Sequence, residues 1–119
     1  MKSLRKFTEI YLHRAAVDGR KQINGLAAIV ESEMGKCPTR GGLFVFTGRR
    51  RDSIRILYWD RTGFALWTKK LETEKFKWPA KMSADHTISL THQQLAFLLD
   101  GYDIARMKPH QSLSYLAVS

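Results

Sequence analysis

Residues Gly42–Pro79 read GLFVFTGRRRDSIRILYWDRTGFALWTKKLETEKFKWP, and this stretch decides the fold. Leu43–Thr47 (LFVFT), Ser53–Trp59 (SIRILYW), Gly63–Lys69 (GFALWTK) and Lys75–Trp78 (KFKW) are rich in β-branched and aromatic residues, which fit a pleated, half-buried surface. The connections are short: a basic turn at Gly48–Asp52, a turn at Asp60–Gly63 and a more acidic link at Leu71–Glu74. A parallel crossover needs about a dozen residues, so such links make the neighbours antiparallel. The expectation is a four-stranded meander. Alternation along the second strand sets Ile54, Ile56 and Tyr58 on one face and Arg55, Leu57 and Trp59 on the other. If the isoleucine face is the core, Arg55 and Trp59 point outward beside the arginine turn.

Upstream, Glu9–His13 (EIYLH) alternates apolar and polar residues as a short strand does. From Gly19 to Met34, the residues Ile23, Leu26, Ala27, Val30 and Met34 fall on one helical face. Asp18 is placed to cap that helix, and Gly35 to stop it. Gly25 weakens the helix by about 1 kcal/mol relative to alanine, which suggests close packing there. Downstream, Pro79 ends the strand run. Ile88–Leu90 leads into Thr91, with Gln94 three positions later in a capping-box pattern. A helix from His92 to about Leu99 then buries Leu95, Leu98 and Leu99, and Gly101 ends it. The predicted architecture is α+β: a small antiparallel sheet, about four meander strands plus an N-terminal strand, packed with an N-terminal and a C-terminal helix. At 119 residues the chain fits one domain, 1–119, with mobile termini expected.

Composition excludes several function classes. One cysteine, Cys37, permits neither an internal disulfide framework nor a Cys-rich zinc site, and suits a reducing cytoplasm. No stretch approaches the ~18–20 apolar residues of a membrane span. Lys2, Arg5 and Lys6 are not followed by the apolar run of a secretory signal, so a cytoplasmic location is expected. The histidines His13, His86, His92 and His110 have no metal-ligand spacing. No phosphate-cradling glycine motif is present, and no trio of carboxylates suited to a two-metal site emerges. Neither a cofactor nor an enzymatic activity is expected.

What the composition favours is an anionic partner. Twenty Lys and Arg against eleven Asp and Glu give a net charge of +9, and the isoelectric point is about 10.0. Most of the excess lies between Arg49 and Lys81, where ten bases face four acids. Candidate phosphate contacts are Arg49, Arg50, Arg51, Arg55, Arg61, Lys69, Lys70, Lys75 and Lys77, with Arg20 and Lys21 at the first helix start. Phe44, Phe46, Phe64 and Phe76 read as core. Tyr58, Trp59 and Trp67 are candidates to stack unpaired bases or to anchor a protein partner, and Trp78 is divided between core and surface.

Three stretches resemble one family. Gly42–Pro79 looks like the core signature of the TnpB-type accessory proteins of insertion-sequence-66 elements. Val17–Val30 (VDGRKQINGLAAIV) resembles that family's Asp-x-Arg-Lys helix start followed by Gly-Leu, and Leu90–Asp103 (LTHQQLAFLLDGYD) its closing helix and Gly-x-Asp. The likeness runs from about Glu9 to Leu116. The matching positions are Asp18, Arg20, Lys21, Gly25, Arg49, Arg50, Tyr58, Trp59, Asp60, Gly63, Trp67, Trp78 and Pro79. Gly19 and Gln22 depart from the pattern, and Cys37 is not part of it. The resemblance implies a role in transposition of a bacterial mobile element, beside the transposase and on or near DNA. It supplies no defined activity. Two readings follow: a non-catalytic DNA-binding accessory protein, or an interaction module that binds the transposase or its sister protein.

Overall fold

The computed structural model describes residues 4–107. The expected mobile termini, at residues 1–3 and 108–119, lie outside them. The elements are β1 (Ile10–His13), α1 (Ile23–Ser32), β2 (Leu43–Thr47), β3 (Ser53–Asp60), β4 (Gly63–Lys70), β5 (Thr87–Leu90) and α2 (His92–Leu99), with short 3-10 turns at Leu4–Lys6 and Ala80–Met82. Five strands form one sheet in the order β4-β3-β2-β1-β5.

The α+β architecture is the one the sequence implies. β2, β3 and β4 form an antiparallel meander with Val45 opposite Ile56 and Ile56 opposite Trp67. The sheet is nevertheless mixed. β1 runs parallel to β2, with Ile10 opposite Leu43, because α1 lies between them in the chain and carries the crossover. β5 closes the other side of β1, antiparallel, with Ile10 opposite Leu90.

Lys75–Trp78 is not a strand, which corrects the expected fourth member of the meander. Its alternation is real: Phe76 and Trp78 are buried, while Lys75 and Lys77 are exposed. Period-2 patterning reports a buried side but does not supply a ladder partner. This segment packs on the core cluster of one sheet face, tied by a bond from the Phe76 N–H to the Arg51 carbonyl at 2.7 Å. Pro79 holds the preceding residue extended, which preserves the strand-like pattern.

The first helix is also shorter than expected. It starts at Ile23, and Gln22, extended at ψ −174°, provides no side-chain cap. Asp18 does not cap it, because its carboxylate accepts from the Arg20 N–H at 2.9 Å and from the Arg20 guanidinium at 2.9 and 3.2 Å. The helix also ends two residues before the expected Met34, at Ser32 with Glu33 as its C-cap, and Gly35 at φ +65° turns the chain away shortly after. α2 carries the full capping box: the Gln94 N–H donates to Thr91 Oγ1 at 3.0 Å, and Gln94 Oε1 accepts from the Thr91 N–H at 2.8 Å.

Both faces of the sheet are covered. Leu12, Leu43, Val45, Ile54, Ile56 and Ile88 pack with Phe76, Trp78 and the Leu95 and Leu98 side chains of α2. Phe44, Phe46 and Leu57 pack on the opposite face with Leu26, Ile29 and Val30 of α1. The supposed outer face of β3 is therefore a second core, and Leu57 is wholly buried. Arg55 and Trp59, read as outward-facing, are half-buried on that side. Buried His13 bridges the Ala15 carbonyl and the Glu33 carboxylate, each at 2.8 Å, and so fastens the end of β1 to the end of α1.

Candidate nucleic-acid interface

The turn between β2 and β3 is closed by a bond from the Arg51 N–H to the Gly48 carbonyl at 3.0 Å. Thr47 Oγ1 donates to the Ser53 carbonyl at 2.8 Å and holds the stems together. Arg51 sits at φ +56°, where a side chain costs about 1 kcal/mol or more. All three arginines of the turn are exposed.

The turn is a wall between two hollows. On one side a hollow of about 330 Å³ is lined by Asp18–Arg20 and by Gly48, Arg49, Arg50, Asp52 and Ser53. The two basic motifs picked from sequence, one at residue 18 and one at residue 49, thus meet. Hydrogen bonds from the Arg20 guanidinium and N–H, with the nearby charge of Arg49, hold the Asp18 carboxyl well below the usual carboxylate range. Asp18 therefore stays ionised and offsets part of the positive charge there.

On the other side lies a larger cleft of about 680 Å³, lined by Arg51, Lys75, Lys77, Lys81, Arg14 and Arg106 together with Asp103, Phe76, Trp78, Ala80 and Ala105. Its floor is built by an exchange of bonds across the fold. Arg14 Nε donates to the Ala80 carbonyl at 2.8 Å, and Trp78 Nε1 donates to the Arg14 carbonyl at 3.0 Å. The Arg14 N–H reaches the His86 carbonyl at 2.9 Å. Trp78 is buried, so its polar N–H serves the floor of the cleft. Among the described residues of the cleft, only Arg106 is matched by a carboxylate, Asp103, at 3.6 Å.

Among the sequence candidates, Arg49, Arg50, Arg51, Arg20, Lys75 and Lys77 are brought together around the turn. Lys70, opposite Ser53 at the same end of the sheet, is exposed beside them. Others are elsewhere. Arg61 occupies the β3–β4 turn, at the far end of an eight-residue strand and so roughly 23 Å away. Lys69 Nζ donates to the Leu99 carbonyl at 2.9 Å, satisfying the end of α2. Arg55 Nη1 donates to the Lys21 carbonyl at 2.6 Å, its Nη2 is buried without a partner among the described residues, and burial pushes its guanidinium pKa down. Lys21 is exposed just before α1.

The aromatic candidates are each half-buried against a neighbour. Tyr58 meets Phe7 edge-on at 5.6 Å, and Trp59 meets Phe64 edge-on at 5.0 Å. Trp67 packs on the α2-side core. Sequence reading passed over Arg14 and Arg106 and counted Lys81 only in the charge total. The one local signal for Arg14 was its place directly after a predicted strand. Its partner Ala80 is 66 residues away, so no local pattern announces the pair.

The fold and this charge arrangement define a small basic α+β protein that presents cations at one end of its sheet. The chain belongs to the IS66 Orf2-like family, whose pattern matches residues 8–109, and so sits among the accessory proteins of that class of insertion sequence. It is 38% identical over 92 residues to the uncharacterized protein y4jC of Sinorhizobium fredii, covering 77% of each chain. It is 31% identical over 94 residues to the uncharacterized protein y4hO of the same organism, covering 79% of this chain and 80% of the other. No solved structure matches the chain. Among the described residues, no helix is long and apolar enough to cross a membrane.

Proposed function

We propose that this protein is a non-catalytic, cytoplasmic accessory protein of bacterial transposition that grips the DNA backbone with its arginine turn. One observation carries the reading: Arg49 and Arg50 line one hollow while Arg51 lines the next, so three consecutive arginines serve both sides of a single turn. Exposed guanidinium groups donate to phosphate oxygens in a fixed fork geometry, and each phosphate neutralised releases condensed counterions. Half-buried Tyr58, Trp59 and Trp67 leave little free ring surface for base stacking, which favours backbone contact over unpaired bases. The test is binding of a labelled duplex by the R49E/R50E double variant and by R61E. Loss of affinity in the double variant, with little change in R61E, supports the placement. Equal losses in both would refute it.

A second reading has its own observation. β4 is an edge strand of eight residues, so one side of its backbone lacks a strand neighbour among the described residues. Such an edge suits addition of a strand from the transposase or its sister protein. Co-purification of the two proteins after nuclease treatment, abolished by Thr68→Pro, which removes an N–H on the unpaired side of β4, would support this reading; co-purification unaffected by that substitution would exclude the edge.

A further inference from the structure

The cleft beside Arg51 differs in kind from the turn that borders it. It is recessed, its aromatic wall is buried, and six bases surround a single carboxylate. Asp103 pairs with Arg106, so among the described residues Arg14, Arg51, Lys75, Lys77 and Lys81 have no carboxylate partner within the cleft. Arg14 is the organised member. Its Nε is fixed on the Ala80 carbonyl and its own carbonyl is held by Trp78, so its guanidinium plane is set before any ligand arrives. Its two terminal nitrogens have no partner among the described residues and remain accessible to solvent.

A duplex backbone is a convex rod carrying one charge per phosphate, and it would meet only the rim of such a recess. A phosphate monoester at a strand end protrudes, carries roughly −1.5 to −2 charges near pH 7, and offers three acceptor oxygens. Resting on the DNA-binding reading above, we infer that this cleft receives the terminal phosphate of a DNA strand, with Arg14 as its preset fork and Lys75, Lys77 and Lys81 supplying charge. Arg51 belongs to both surfaces, so a duplex held on the turn delivers its end to the cleft. An acidic peptide is the competing ligand. It is disfavoured because it gives no reason for the cleft to share a wall with the arginine turn.

The test compares short duplexes ending in 5′-phosphate, 3′-phosphate or hydroxyl, with a phosphorylated dinucleotide as a minimal probe and polyglutamate as competitor. The wild-type protein should bind one phosphorylated end about tenfold more tightly than the hydroxyl end. R14Q and, independently, the exposed-site variant K77Q/K81Q should bring that ratio close to one. R49E/R50E should weaken all duplexes and keep the ratio. Equal affinity for phosphorylated and hydroxyl ends overturns the inference while leaving the turn as a DNA site. Dinucleotide binding without duplex binding upholds the cleft and overturns the turn. Displacement by polyglutamate as effective as displacement by the phosphorylated duplex assigns the cleft to a protein and overturns the inference.

Discussion

Arg51 and Arg61 share one backbone conformation, φ +56°, at opposite ends of β3. Glycine would adopt it without side-chain strain, although it adds freedom to the unfolded chain. R51G and R61G should therefore each change stability by less than about 1 kcal/mol in thermal denaturation, in the stabilising direction. Only R51G should weaken DNA binding. That split separates a residue kept for its charge from one that merely occupies a turn. Asp18 supplies a pH test. Its folded pKa is depressed, so its bond to Arg20 is intact above the ordinary carboxylate range and lost only as pH falls through the lowered value. Its side-chain carboxyl NMR shift should stay flat down to about pH 3, and Arg20→Ala should move its titration up toward the usual carboxylate range, while the bond from the residue-20 N–H still holds it below that range. Cys37 is exposed, and its hydrogen bond with Thr39, with a smaller contribution from Arg40, lowers the thiol pKa. Iodoacetamide should alkylate it faster at pH 7.5 in the native protein than in Thr39→Val. Equal rates would contradict the contact.

Among the elements, α2 is specified most locally. Thr91 and Gln94 satisfy each other's backbone across three residues, and Thr91→Ala should cost about 1 kcal/mol in denaturant unfolding. Such a motif lies within a few residues, so it is legible in sequence. The β2–β3–β4 meander is legible for the same reason, since its links are short. β1 is different. Its parallel pairing with β2 depends on a contact across α1, which patterning of Glu9–His13 alone cannot fix. The second core face escaped notice because Leu57 and Arg55 share a parity, and the arginine made that face look like solvent. In the structure α1 covers it, and Arg55 survives there by donating to Lys21. The Lys75–Trp78 segment misled through true alternation without a partner strand. The candidate site divides likewise: the run Arg49–Arg51 stands out in any reading, whereas Arg14 enters through a bond to Ala80 on a distant segment.

At the scale of the whole molecule, the excess positive charge is gathered at one end of the sheet. The turn and the two hollows hold most of it, while Arg61, Lys69 and Arg55 stand apart in structural or distant positions. A surface of this kind binds by neutralising phosphates, so its affinity must follow salt. The most direct measurement is fluorescence anisotropy of a labelled duplex across a series of salt concentrations, for the wild-type protein and the R49E/R50E variant. The predicted log–log slope is steep, about −0.9 for each phosphate contacted, and it should become shallower by about two contacts in the variant. A wild-type slope near zero, or no binding at low salt, would contradict a DNA-gripping turn and leave the basic end to a protein partner.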